Sequence, residues 1–384
     1  MLARIQSGSC KRNCSARLGE LVFVCMFWFW NYADWIQHAE ILAIRAFNHF
    51  LIDECRLLLS GGGVSNLLRQ REPGEITSLE YQPFTIKDDV EIHMYCSEAP
   101  CGDASMELVM EAQEDPTPWT ETPPAVPVLS EPLPQPDRAA PEGEVLLLRG
   151  RSHFSYLGAV RLKPSRPDAP QTLSKSCTDK LAHSQVTSLL LSLTSLLVTP
   201  RNAYLTSLIL PKSQCIPTAT ARAFGPSGRM SDTNTLLKQS QGIQEAGYAF
   251  RPFEVRTTDR EFQYSRRSIP PPNKPVPSNL SAVYTPRFQE TLIGGVLQGR
   301  KQFDPRGASL ICRKSIWKAV MEVGALTAVP ALIETLKGST YMDVKESEVL
   351  IARKEAKKVV RERVLKGWVA NKGDGHFSSG VVER

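Results

Sequence analysis

No stretch of this 384-residue chain stays apolar long enough to cross a bilayer. The longest run, Leu21 to Trp30, has ten residues, about half of what a spanning helix needs. Lys11, Arg12 and Arg17 precede it in the manner of a secretory signal. No small-residue cleavage site follows, and cutting there would leave the HAE tripeptide at the start of the mature chain, so no leader or anchor is expected. Cysteine occurs nine times but without regular spacing. That excludes the dense disulfide framework of a small secreted domain and points to a reducing compartment with thiols free for metal. Internal repeats are also absent. Charge of one sign does not dominate: 46 basic against 40 acidic residues give +6, which permits a polyanionic partner without requiring one.

What is there is globular, with 42% hydrophobic and 22% charged residues. Charge is uneven along the chain. Residues 107–144 are rich in acids and prolines, whereas 300–372 are dense in Lys and Arg, which suggests a phosphate-facing C-terminal region. In 38–60, apolar residues at Ile41, Leu42, Ile44, Phe47, Phe50, Leu51, Leu57 and Leu58 predict a buried helix that ends at Gly61–Gly63. Val90, Ile92, Met94 and Cys96 then alternate with Glu91, His93 and Tyr95, the period of a strand with one buried face. Pro100-Cys101-Gly102-Asp103 breaks that strand and leads into a helix over 104–112, completing an α/β unit. The Pro- and acid-rich stretch from about 113 to 144 reads as a disordered insertion. Beyond it, 188–198 (SLLLSLTSLLV) reads as a helix, 203–211 as a strand, 266–277 as a surface loop, and 309–324 and 341–369 as helices.

Three short motifs carry chemistry. HAE at 38–40 puts a histidine and a glutamate at a helix start, where the imidazole can hold a metal and the carboxylate can reach a metal-bound water. Alone, the tripeptide is more often a packed or capping histidine. Cys101 in PCGDAS lies at a strand-to-helix turn, and Cys177 in LSKSCTDKLA opens another helix. Helix N-termini favour a thiolate, although a lone buried cysteine is usually only core. Together His38, Cys101 and Cys177 make a three-ligand set that leaves zinc's fourth position open for water. An open position implies catalysis, with Glu40 as the proton shuttle between that water and the leaving amine. Nucleobase deaminases use this arrangement.

The ordered series HAEILAIRAF, PCGDAS and RLKPSRPDAPQTLSKSCTDKLA resembles the deaminase domain of the ADAR-like, tRNA-specific adenosine deaminases over about residues 38–374. The PCxxC pattern of cytidine deaminases is missing, because Asp103 and Ala104 follow PCG and the second cysteine comes from a distant SCTDK segment. The resemblance implies a single domain with a cytidine-deaminase-like, three-layer α/β/α core and a helical C-terminal extension, followed by a tail over 375–384. It also implies an inositol hexakisphosphate behind the zinc site. Its counterparts here are Arg45, Ser174, Lys180, Arg313, Tyr341, Lys345, Trp368 and Lys372, since many anionic oxygens demand many donors. Ile44 and His183 stand where the family often has arginine.

The implied reaction is hydrolytic conversion of adenosine to inosine, and the implied substrate is the adenosine 3′ of the anticodon in alanine tRNA. The 37 residues before His38 leave no room for a double-stranded-RNA-binding domain, which favours tRNA over the alternative, ADAR-like mRNA editing. The anticodon arm is the expected partner, with neither membrane nor DNA, for a monomer in the cytoplasm or nucleus. Residues 1–37 do not resemble the family. Gly19 to Gln37 read as a translated intron, because Gly19-Glu20-Leu21 and Gln37 are encodable by donor-like and acceptor-like splice sequences. On that reading part of the sheet is missing, and a catalytically dead RNA-binding protein becomes the second alternative.

Overall fold

A computed structural model describes residues 2–7, 21–27, 38–61, 63–110, 148–151, 156–163, 172–240, 242–263, 265–270, 272, 280–301, 304–327, 329–337 and 340–370, with 2–7 and 21–27 as backbone only. The insertion expected over 113–144, the tail over 375–384 and most of 1–37 lie outside them.

The molecule is a mixed helix and strand structure. Among the described residues its main sheet holds eight strands: β1 (Leu2–Ser7), β2 (Leu21–Phe27), β5 (Val90–Tyr95), β8 (Ser207–Pro211), β9 (Glu254–Thr258), β10 (Leu280–Tyr284), β11 (Gln289–Ile293) and β12 (Val296–Leu297). Their order is β12-β11-β10-β2-β1-β5-β8-β9. Pairing is antiparallel from β12 to β5 and parallel from β5 through β8 to β9. Two small ribbons pair β3 (Leu68–Gln70) with β4 (Phe84–Ile86) and β6 (Leu148–Arg149) with β7 (Arg161–Leu162). The strands expected to be missing ahead of HAE are therefore filled by the backbone of β1 and β2, and the sheet is continuous.

The long helix α1 (Ala39–Leu59) matches the periodicity of 38–60 and lies against β2 and β10. Its Ala43, Ala46, Leu51, Ile52 and Cys55 are almost fully buried, and they point to several sides, so α1 is a central helix covered by the sheet and by α6 (Arg313–Leu326). The strand predicted around 90–96 is β5, with Ile92, Met94 and Cys96 buried as expected. His93 is buried as well, hydrogen-bonded to Ser207 across the β5–β8 pair. On that second face only His93 is buried, Glu91 being exposed and Tyr95 half-buried, a local covering that alternation alone did not reveal.

After β5 come the short α2 (Met106–Met110) and then α3 (Cys177–Thr187). The helix expected over 188–198 is not formed: α3 stops at Ser188, whose φ is 60°, and the segment holds only a 3₁₀ turn, Thr194–Leu196. Its leucines are buried regardless, apart from the half-buried Leu191. The fully buried Asn48 of α1 accepts from Leu191 N and donates to Leu189 O, satisfying backbone that a helix would have paired internally. The chain continues through α4 (Pro217–Phe224), α5 (Thr233–Lys238), α6 (Arg313–Leu326) and α7 (Pro330–Leu336). The charged helix expected over 341–369 is broken into α8 (Tyr341–Glu346), a 3₁₀ turn, α9 (Ile351–Lys358) and a wider π-type turn over Val359–Val364. No helix among the described residues is long and apolar enough to cross a membrane.

Candidate metal centre and the basic chamber behind it

Three helix or turn starts converge on one point. His38 is the extended N-cap of α1, and its carbonyl accepts from Ile41 N and Leu42 N at 2.9 and 3.0 Å, so the helix begins directly beyond the imidazole. Cys177 is the first residue of α3, whose cap, Ser176, accepts from Asp179 N at 3.1 Å. Cys101 follows β5 in a tight turn. There Gly102 has φ 108°, and a Cβ on it would sit 2.3 Å from Ser176 Oγ, so glycine permits both the conformation and the approach. Thr178 stitches the two cysteine segments together, donating from N to Cys101 O at 3.0 Å and from Oγ1 to Pro100 O at 2.9 Å.

The donor atoms of His38, Cys101 and Cys177 all lie within 4.8 Å of one another, with Cys101 Sγ 3.3 Å from His38 Nδ1. Ligands of a tetrahedral zinc are separated by roughly 3.5–3.8 Å, given metal–ligand bonds of about 2.0–2.3 Å, so the set can hold zinc with one position left open. Cys177 N also donates to Cys101 Sγ at 3.3 Å. A hydrogen bond from the Cys177 thiol, helped by His38, holds Cys101 well below the usual thiol range, while burial pushes Cys177 up. Glu40, only 9% exposed, is close enough to contribute to the raised thiols of Cys96 and Cys177.

Behind the cysteines lies a series of cations that continues to α1. Lys163 is buried, and its Nζ has no protein hydrogen-bond partner. Lys180 donates to Ser174 Oγ at 3.0 Å, and burial, then Lys163, lowers it to about 7. Lys175 donates to Leu173 O and Val369 O and is lowered to about 8 by burial and then Arg361. Trp368 closes this end, stacked on His183 at 5.1 Å with Lys175 and Arg361 over its ring at 5.5 and 5.2 Å. Arg361 Nε donates to His183 Nε2, and burial followed by Arg361 keeps that imidazole neutral. Lys357, bonded to Ser192 Oγ at 2.6 Å, is held well below the usual lysine range by burial, Arg353 and Arg361.

Arg353, Arg361 and Arg313 in turn act on Lys345. Arg313 and Tyr341 act on Arg45, which burial lowers to about 10 and whose Nε bonds Ile311 O at 2.6 Å. Seven of the eight residues expected around a phosphate ligand are thus part of one connected group, while Lys372 lies outside the described residues. Sequence reasoning missed Lys163, Lys175, Arg353, Lys357 and Arg361. Lys163 and Lys175 stand inside the segment quoted for the family resemblance, so their proximity to Cys177 was a usable signal. The other three come from a charged stretch that reads equally well as a solvated face.

An α/β domain with a His-Cys-Cys cluster at helix starts and a carboxylate two residues past the histidine has the constitution of a zinc nucleobase deaminase. Residues 37–372 match the adenosine-deaminase (editase) domain, and the chain belongs to that family. It is 36% identical to the tRNA-specific adenosine deaminase 1 of Schizosaccharomyces pombe over 341 residues, 88% of this chain and 76% of that protein. It is also 34% identical to the protein of the same name from Saccharomyces cerevisiae over 155 residues, 40% of this chain and 34% of that one.

Proposed function

We propose that this chain converts adenosine to inosine in tRNA, at the adenosine 3′ of the anticodon in alanine tRNA, within a cytidine-deaminase-like three-layer core. The observation that carries the proposal is the convergence of His38, Cys101 and Cys177 within 4.8 Å, together with the relatives named tRNA-specific adenosine deaminase 1. A zinc ion held by these three residues supplies Lewis acidity that makes water nucleophilic near neutral pH. Glu40, placed at the first turn of α1, takes a proton from the attacking water and delivers it to the purine nitrogen, then carries the hydroxyl proton of the tetrahedral adduct to the amine, which leaves as ammonia when the C–N bond breaks. The turn at Gly102 and the cap at Ser176 keep the thiolates oriented.

Inositol hexakisphosphate is the proposed occupant of the basic chamber. Lys180, Lys357 and Lys345 are lowered by burial and by neighbouring cations, and Lys163 Nζ is buried without a partner. Such a set repels itself until an anion joins it. Arg45, Ser174, Lys180, Arg313, Tyr341, Lys345 and Trp368 are its proposed contacts, joined by Lys163, Lys175, Arg353, Lys357 and Arg361.

Glu40→Ala tests the reading directly. The variant is expected to retain stoichiometric metal while inosine formation in alanine tRNA falls by roughly 10²–10⁴-fold, the usual weight of a general acid–base group. Unchanged turnover in the metal-loaded variant refutes the role of Glu40.

A further inference from the structure

Each metal-site cysteine is followed two residues later by a fully buried aspartate, Asp103 and Asp179. Their surroundings are built alike. Each accepts a backbone N–H from the one segment that runs past both cysteines: Gly158 N reaches Asp103 Oδ1 at 2.6 Å, and Arg161 N reaches Asp179 Oδ2 at 2.9 Å. Each is also paired with an arginine from α4 or the turn after it. Arg222 Nε lies 3.0 Å from Asp103 Oδ2, and Arg229 Nη1 lies 2.6 Å from Asp179 Oδ1. The two arginines are joined to each other through Arg229 N and Arg222 O at 3.0 Å.

From this we infer that Arg222 and Arg229 are positioning residues for the metal centre, a reading that rests on the metal site proposed above. Neither touches a donor atom of the cluster. Arg222 also grips Asp103 O and takes Glu107 with two bonds, so it spans the turn on which Cys101 stands. Arg229 reaches Ala159 O and Ala223 O as well, pinning the middle of the crossing segment to α4. That segment then pairs with the approach to Cys177, through Ser176 N to Arg161 O and Lys163 N to Ser174 O, both at 2.8 Å. Four charge-assisted contacts therefore fix two helix starts and the Lys163-bearing segment against one short helix. The geometric product of that brace is the separation and orientation of the two thiolates. Rigid donors outside the ligand shell hold a metal site in its bound geometry before the metal arrives.

The test uses the full chain loaded with cobalt in place of zinc, because thiolate-to-cobalt charge-transfer and visible ligand-field bands report ligand geometry directly. Arg222→Met and Arg229→Met are expected to shift those bands and to weaken metal retention against a chelator by roughly 10–100-fold, the range for losing an outer-shell partner. Arg201→Met, which breaks the bidentate pair with Glu80 outside the centre, is expected to lower thermal stability while leaving the bands and chelator kinetics at wild-type values. If the methionine variants do not fold, Arg222→Lys and Arg229→Lys keep the charge but lose the forked geometry, and they should show the same shift at smaller amplitude. Spectra and release rates identical to wild type in the folded variants overturn the brace alone. A wild-type protein that gives no two-thiolate signature overturns the metal site itself, and the brace with it.

Discussion

The His38-Cys101-Cys177 cluster and the group of cations behind it are neighbours built on opposite principles. The cluster takes three uncharged or single-charge donors from three element starts and satisfies them with local caps, a glycine turn and backbone N–H groups. The chamber collects like charges from α1, the segment before α3, α6, α8, α9 and the turn that follows, and leaves them mutually destabilised. Three ligands around a metal need exact geometry, set here by local caps and by the arginines that brace the two cysteine segments. A set of cations needs the whole C-terminal half to be folded before it exists at all, and an anion to make it favourable. The difference assigns the chemistry to local structure and the cohesion of the C-terminal region to electrostatics.

The hardest blow to the local side of that contrast is Gly102→Val. A side chain there meets Ser176 Oγ and Cβ at 2.3 and 2.6 Å and takes up a positive φ. Metal content and inosine formation should both fall below detection, read by elemental analysis and a tRNA assay. Next comes Lys357→Met in the chamber. Affinity for inositol hexakisphosphate is expected to drop about 10–100-fold, the weight of a charged hydrogen bond of ~1.5–3 kcal/mol, in a calorimetric titration. The same substitution removes repulsion, so the anion-free chain should melt no lower than wild type. An equal loss of stability with and without the anion would erase the distinction between the two regions.

The smallest effect is one of pH. Lys180 is lowered to about 7 and Lys357 is lowered strongly, so the unfolded chain binds more protons than the folded one between neutral pH and the ordinary lysine range. Stability of the anion-free protein should therefore rise with pH through that window and be lowest below it. Added inositol hexakisphosphate, by favouring the charged lysines, should flatten or reverse the slope in thermal melts at several pH values.

Much of the centre was readable because its signals are local. A run of apolar residues at helical spacing after HAE produced α1 within a residue of its expected start, and Ser176-Cys177 before Asp179 is a cap that needs no distant partner. The buried apolar segment 188–198 shows where such reading stops. Its leucines point inward from an irregular path held by Asn48, and composition cannot separate that from a buried helix. His93 was placed on an open face for a similar reason, since the neighbours that cover β5 lie far along the chain.

The sequence by itself picked out the proposed metal ligands and proton carrier, because His38, Glu40, Cys101 and Cys177 each sit in a short motif at an element start. Only the tertiary structure decided that Lys163, Lys175, Arg353, Lys357 and Arg361 share one basic group, and that Asp103 and Asp179 are braced from α4 and the turn after it. Coulomb and hydrogen-bond energies act over a few ångströms of space, whereas these partners are separated by tens to more than a hundred residues of chain.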